Sequence, residues 1–93
     1  MNGIRFDSKR EAKRYQELCL LEKAGGIAKL ELQPRFPLVV NGEKITSYRA
    51  DFRYLDVRSG EIVVEDAKGV KTPVYRLKKK LVRAIYGIDI QEV

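Results

Sequence analysis

In the stretch Ile62-Val63-Val64-Glu65-Asp66-Ala67-Lys68-Gly69 a β-branched run ends in two acids and a lysine, the groups most costly to bury. Strand alternation puts Ile62, Val64, Asp66 and Lys68 on one face and Glu61, Val63, Glu65 and Ala67 on the other. Asp66 and Lys68 are then side by side, and Glu65 points away from them. On the preceding strand Asp51 shares a face with Ser47, Arg49, Arg53 and Leu55, whereas Tyr48, Ala50, Phe52 and Tyr54 read as core. If Asp51 and Asp66 hold facing positions on paired strands, two carboxylates meet beside one lysine. Glu11 is a third acid, four residues before Tyr15 and seven before Leu18, so it continues a helical apolar stripe toward the sheet. Three converging carboxylates repel one another unless a divalent cation joins them, and hard oxygen donors suit Mg²⁺ or Mn²⁺. Such an ion polarises a phosphodiester and acidifies bound water. A neighbouring lysine orients that water or offsets charge growing on the phosphate.

Each group also has a simpler role. Ser8-x-x-Glu11 matches a capping box, in which the glutamate only closes a helix start. Asp51 between Arg49 and Arg53 can be a solvated ion pair. Asp66 with Lys68 can be a surface pair at a strand end, worth under about 1 kcal/mol.

The elements that must position these residues are readable from periodicity and punctuation. Residues 8–24 have helical spacing through Ala12, Tyr15, Leu18, Cys19 and Leu21 or Glu22, and Gly25-Gly26 stops them. Ile27 to Gln33 alternates as a strand. Pro34 and Pro37 make Phe36 to Val40 an edge strand or a second piece, and Asn41-Gly42 is a hairpin turn. Tyr48 to Val57 reads as one long strand, turned by Arg58-Ser59-Gly60 into the strand Ile62 to Lys68. Thr72 as N-cap and Pro73 in the first turn open a second helix, which runs to about Tyr86 before Gly87. Its packing stripe is Val74, Leu77, Leu81 and Ile85, leaving Arg76, Lys79, Lys80 and Arg83 exposed. Ile88 to Val93 closes as an alternating strand, which the helix can lay parallel to a neighbour. The expected class is α/β, a mixed sheet flanked by helices.

Composition bounds what such a fold can do. The chain has 93 residues, enough for one domain spanning 1–93 with one compact core. Nineteen Lys and Arg against thirteen acids leave a net charge of +6 and a pI near 9.6, which favours a polyanionic partner, whether DNA, RNA or an acidic surface. With no histidine, Ser-His and Cys-His triads and the usual zinc sites are excluded. The single cysteine, Cys19, reads as a packing residue and forms no internal disulfide, so a reducing cytoplasm is the expected compartment. No apolar run approaches the roughly 20 residues of a membrane helix.

Taken together, Asp51 in Tyr48-Arg49-Ala50-Asp51-Phe52, Asp66-Ala67-Lys68, and Glu11 in Ser8-Lys9-Arg10-Glu11-Ala12 resemble the PD-(D/E)XK nuclease superfamily. FDSKREAKRY, LELQPRF, YRADFRY, VVEDAKG and TPVYRLKKK more narrowly resemble a family of small nuclease-like proteins common in phages and prophages. Ala50 stands where the motif's proline would precede Asp51. The resemblance implies a restriction-endonuclease-like αβββαβ core and a metal-dependent DNA endonuclease in the cytoplasm of a bacterial host. It implies Glu11, Asp51 and Asp66 as ligands of Mg²⁺ or Mn²⁺, with Lys68 serving the water or the transition state. Gln33 and Glu65 are accessory candidates. Lys9, Arg10 and Lys13 beside Glu11, and Lys71, Arg76 and Lys79 after Asp66, are candidates for DNA phosphate contacts. Branched recombination or replication intermediates are a substrate the resemblance suggests, and cutting both strands implies a homodimer or higher homo-oligomer. The alternatives are a nucleic-acid-binding module that does not cut, or an interaction subunit of a phage complex.

Overall fold

A computed structural model describes residues 5–6, 8–67 and 71–93. The order is α1 (Lys9–Lys23), β1 (Ile27–Leu32), β2 (Arg35–Val40), β3 (Glu43–Arg49), β4 (Phe52–Asp56), β5 (Ile62–Asp66), α2 (Pro73–Tyr86) and β6 (Gln91–Glu92). Four strands form a mixed sheet in the order β1-β4-β5-β6. β1 with β4 and β4 with β5 are antiparallel, and β5 with β6 is parallel. α1, β1, β4, β5, α2 and β6 thus make an αβββαβ frame, into which β2 and β3 enter as a separate hairpin.

The hairpin turns where expected. Asn41 (φ 50°) and Gly42 (φ 81°) both take left-handed backbone, the conformation a tight two-residue turn requires. α2 starts where Thr72 Oγ1 accepts from Tyr75 N at 3.1 Å and stops at Gly87, whose φ of 70° closes the helix at a position glycine occupies without steric cost.

Each face of the sheet has its own hydrophobic cluster. Leu18, Ile27, Phe52 and Tyr54 pack on the α1 side, with Phe6, Tyr15, Leu30 and Val63 against them. Phe36, Leu38, Tyr48, Ala50, Val64, Tyr75, Val82 and Ile90 pack on the other side, joining the hairpin and α2 to the sheet.

Three expectations are corrected. The long strand from Tyr48 to Val57 is broken at Ala50-Asp51 into β3 and β4. Tyr48 and Ala50 therefore fill the α2-side cluster while Phe52 and Tyr54 fill the α1-side cluster. The last strand is only Gln91–Glu92, because Gly87 to Ile90 carries the chain from helix to sheet edge without pairing. On α2, Val74 and Leu77 are 62% and 59% exposed and Ile85 is also exposed, with Leu81 only partly buried. Tyr75 and Val82 face the core instead. Both stripes satisfy i, i+3, i+4 spacing, and the larger buried area of an aromatic ring favours the one that inserts Tyr75.

Candidate active site at the sheet edge

The C-terminal end of β5 brings together Asp51, Glu65 and Asp66 of the residues singled out in the sequence. Phe52 pairs with Glu65 across the β4–β5 ladder, so continuing that register by one residue sets Asp51 against Asp66. Asp51 Oδ2 accepts from Ala67 N at 2.7 Å, and Asp51 N donates to the Glu65 carbonyl at 3.1 Å. These bonds tie the junction after β3 to the strand that carries Asp66.

Asp66 is 1% exposed. It accepts a hydrogen bond from the Tyr48 hydroxyl, so the hairpin holds this carboxylate from the α2 side. A buried carboxylate needs such donors to offset its lost hydration. Its backbone carbonyl accepts from Val93 N at 3.1 Å.

Glu65 is on the opposite face, as alternation requires. It is 2% exposed and is met by Arg14 through two bonds of 2.7 Å, Nε to Oε1 and Nη2 to Oε2. The Tyr54 hydroxyl donates to Oε2 as well. Pairing with Glu65 raises the Arg14 guanidinium above its ordinary pKa. Burial, then the bond to Glu65, pushes the Tyr54 hydroxyl up to about 12. Arg14, one turn along α1 from Glu11, is thus committed to an internal pair.

Glu11 is 3% exposed in the first turn of α1. Its backbone N–H donates to Ser8 Oγ at 3.1 Å, so the expected helix cap is present, with a buried side chain in addition. Two contacts set this helix start near the end of β5. Arg14, one turn on, reaches Glu65, and Arg10 Nη1 lies 3.5 Å from the carbonyl oxygen of Val93, a residue whose backbone N–H donates to the Asp66 carbonyl.

Gln33 acts through its backbone. It is exposed, with φ of 52°, and its N–H donates to the Asp51 carbonyl at 2.9 Å, while Ala50 N donates to the Pro34 carbonyl at 3.0 Å. Lys68 lies outside the described residues.

The basic candidates divide between two elements. Lys9, Arg10 and Lys13 are exposed on α1. Lys71, Arg76 and Lys79, with Lys80, Arg83, Asp89 and Glu92, line a cleft of about 400 Å³ between α2 and the β6 segment. Within it Glu92 receives Lys71 Nζ at 3.1 Å, Lys79 Nζ at 3.4 Å and the Tyr75 hydroxyl at 2.7 Å. The Tyr75 bond, then Lys71, pulls the Glu92 carboxyl down to about 2. Burial raises the Tyr75 hydroxyl, followed by Glu92 and by the charges of Asp66 and Asp51. One hydroxyl therefore lies within electrostatic reach of all three acids. Sequence reading missed Tyr48, Tyr54, Tyr75 and Glu92; the only local signal was an unusual number of tyrosines among core positions.

Mg²⁺ takes one or two carboxylates and completes its octahedron with water and phosphate oxygens, so Asp51 and Asp66 suit it as donors. Among the described residues no three His, Cys, Asp or Glu stand together in a group that could hold a metal; the expected trio with Glu11 is not gathered there. Among the same residues no helix is long and apolar enough to cross a membrane.

Neither the curated proteins nor the solved structures contain a match to this chain. A family model described as "Protein of unknown function (DUF1064)" matches residues 1–91, and the chain belongs to that family.

Proposed function

We propose that this protein is a metal-dependent endonuclease that hydrolyses phosphodiester bonds of DNA. The observation that carries the reading is the placement of Asp51 and Asp66 on adjacent strand ends, beside a cleft rich in lysine and arginine. Asp51 and Asp66 would hold Mg²⁺ or Mn²⁺, with Glu11 engaged through a bound water. The ion, when bound, acidifies water and polarises the phosphate.

The chain's own groups do the rest. Tyr48 fixes the Asp66 carboxylate by its hydroxyl, and the Ala67 N–H fixes Asp51. Lys68, two residues after Asp66, is the group to orient the attacking water or offset charge on the phosphate. Lys71, Arg76 and Lys79 on one side, and Lys9, Arg10 and Lys13 on the other, neutralise backbone phosphates flanking the cut. Branched phage DNA in a bacterial cytoplasm is the proposed substrate, and a homodimer would supply the second site for double-strand cutting.

The test is incubation of linear, supercoiled and branched DNA with Mg²⁺ or Mn²⁺, and in parallel with EDTA. Cleavage should need the metal and fall at least about a hundredfold in Asp66→Asn and Lys68→Ala, since each removes several kcal/mol of transition-state stabilisation at 1.36 kcal/mol per tenfold. Metal-independent cutting, or cutting that survives Asp66→Asn, refutes the assignment. A second reading, a DNA-binding module that does not cut, is favoured by the lack of a three-acid group among the described residues. Salt-sensitive binding without cleavage in either metal would establish it.

A further inference from the structure

We propose that Lys71, Tyr75 and Lys79 form a site for a backbone phosphate of DNA, and that the Glu92 carboxylate occupies this site in the free protein as an internal stand-in. This inference rests on the reading of the chain as a DNA-binding nuclease.

Three donors from separate positions converge on one carboxylate. Lys71 Nζ meets Oε1 at 3.1 Å, while the Tyr75 hydroxyl and Lys79 Nζ meet Oε2 at 2.7 and 3.4 Å. Two ammonium groups and a phenol are a donor set suited to the nonbridging oxygens of a phosphodiester, which resemble a carboxylate in charge and oxygen spacing. The Tyr75 hydroxyl and the Lys71 ammonium both favour the anionic form of the Glu92 carboxyl.

The location fits a substrate phosphate. Glu92 pairs with Asp66 in the parallel β5–β6 register, so the stand-in lies beside one of the proposed metal ligands. Arg76, Lys80 and Arg83 continue the cleft beyond it, giving a path for the next phosphates along a strand. Vacating the site requires only rotation of the Glu92 side chain. The backbone stays held by the Glu65–Gln91 and Asp66–Glu92 pairs and by Val93 N to the Asp66 carbonyl.

Glu92 therefore tunes DNA affinity: it competes with the phosphate and keeps both lysines in place. Its removal should tighten binding, whereas a glutamate with only a structural role would leave binding unchanged or weaken it.

The experiment measures binding of a fluorescent 20-base-pair duplex by anisotropy, in EDTA to prevent cutting, across 50–200 mM salt. It compares the unaltered chain with Glu92→Gln, with Glu92→Gln carrying Lys71→Ala and Lys79→Ala, and with Glu61→Gln as a charge-matched control. Glu92→Gln should bind about three- to tenfold more tightly, with a salt slope steeper by about 1–2, as expected for one or two further phosphate contacts. The added lysine changes should abolish the gain, and Glu61→Gln should change affinity less than about twofold. Equal affinity in Glu92→Gln and Glu61→Gln refutes the stand-in while leaving the nuclease reading intact. Tighter binding by Glu92→Gln in a protein that never cuts supports the phosphate site and refutes the nuclease reading. Failure of every form to bind duplex at 50 mM salt refutes the phosphate site, while the nuclease reading is decided by the cleavage assay on linear, supercoiled and branched DNA.

Discussion

Arg14→Ala should be among the most damaging single changes in this chain, and its cost can be worked from the surroundings of Glu65. That carboxylate is 2% exposed and is held by two 2.7 Å bonds from Arg14 and by the Tyr54 hydroxyl. Removing one partner of a buried pair typically costs about 3–5 kcal/mol, because the other charge is left in an apolar setting. Arg14 keeps a quarter of its side-chain surface in solvent, so water can enter the space it vacates and Tyr54 remains as a donor. A loss of about 2–4 kcal/mol is the expected result. At roughly 0.05–0.15 kcal/mol per residue, a domain of this size has about 5–14 kcal/mol in total. The change is therefore a large fraction of the whole, and Tm should fall by about 8–32 °C at roughly 4–8 °C per kcal/mol. Urea unfolding followed by far-UV circular dichroism reads this directly, the chain having no tryptophan. Arg14→Met combined with Glu65→Leu should recover most of the loss, since an apolar pair of similar volume needs no desolvation of charge. A loss under about 0.5 kcal/mol for Arg14→Ala, or simple additivity in the double variant, would refute the assignment of Arg14 and Glu65 as a coupled buried pair.

Three further outcomes follow from other contacts. Gln33→Gly should hold or raise stability by up to about 1 kcal/mol, because the position has left-handed backbone, whereas Gln33→Val should lower it; thermal unfolding separates the two. Val74→Lys and Leu77→Lys should each change stability by less than about 0.5 kcal/mol, while Val82→Ala costs about 1–3 kcal/mol; denaturant midpoints check which stripe of α2 is core. The folded pKa of Tyr54 lies near 12, above the ordinary 10.0, so the native state holds this proton more tightly than the unfolded chain does. Its contribution is complete below pH 10 and is lost as pH rises from about 10 to 12. Tyr54→Phe should flatten that limb of the stability–pH curve, and an unchanged limb would show that another group is responsible.

Much of the frame is legible where a residue type has one physical use. Asn41-Gly42, Thr72-Pro73 and Gly87 each mark a backbone conformation that few residues accept, and all three stand where punctuation placed them. The two faces of β5 were also legible, because alternation admits no intermediate. Less was readable where two solutions share a period. Apolar residues on α2 cover two adjacent stripes, and Phe36 and Tyr48, the hairpin residues that pack in one cluster with Tyr75, are distant from it in sequence. The break at Ala50-Asp51 depends on bonds from Gln33 and Pro34, distant in sequence, so alternation alone ran the strand through it. The Arg14–Glu65 pair spans 51 positions. An acid inside a β-branched run announced that Glu65 needs a partner, but nothing local said which basic residue would supply it.

The hairpin leaves the frame after Gln33 and returns at Ala50, and two backbone bonds at 2.9 and 3.0 Å close the gap behind it. In modular terms it is a cassette with a sealed doorway. Its free end at Asn41-Gly42 can take an inserted tag without touching the sheet, provided that the outgoing arm still delivers Phe36 and Leu38 and the returning arm Tyr48. A transplanted hairpin that lacked a tyrosine at the Tyr48 position would fold back onto the same frame and leave Asp66 without that hydroxyl. The cassette is exchangeable at its tip and specified at its root.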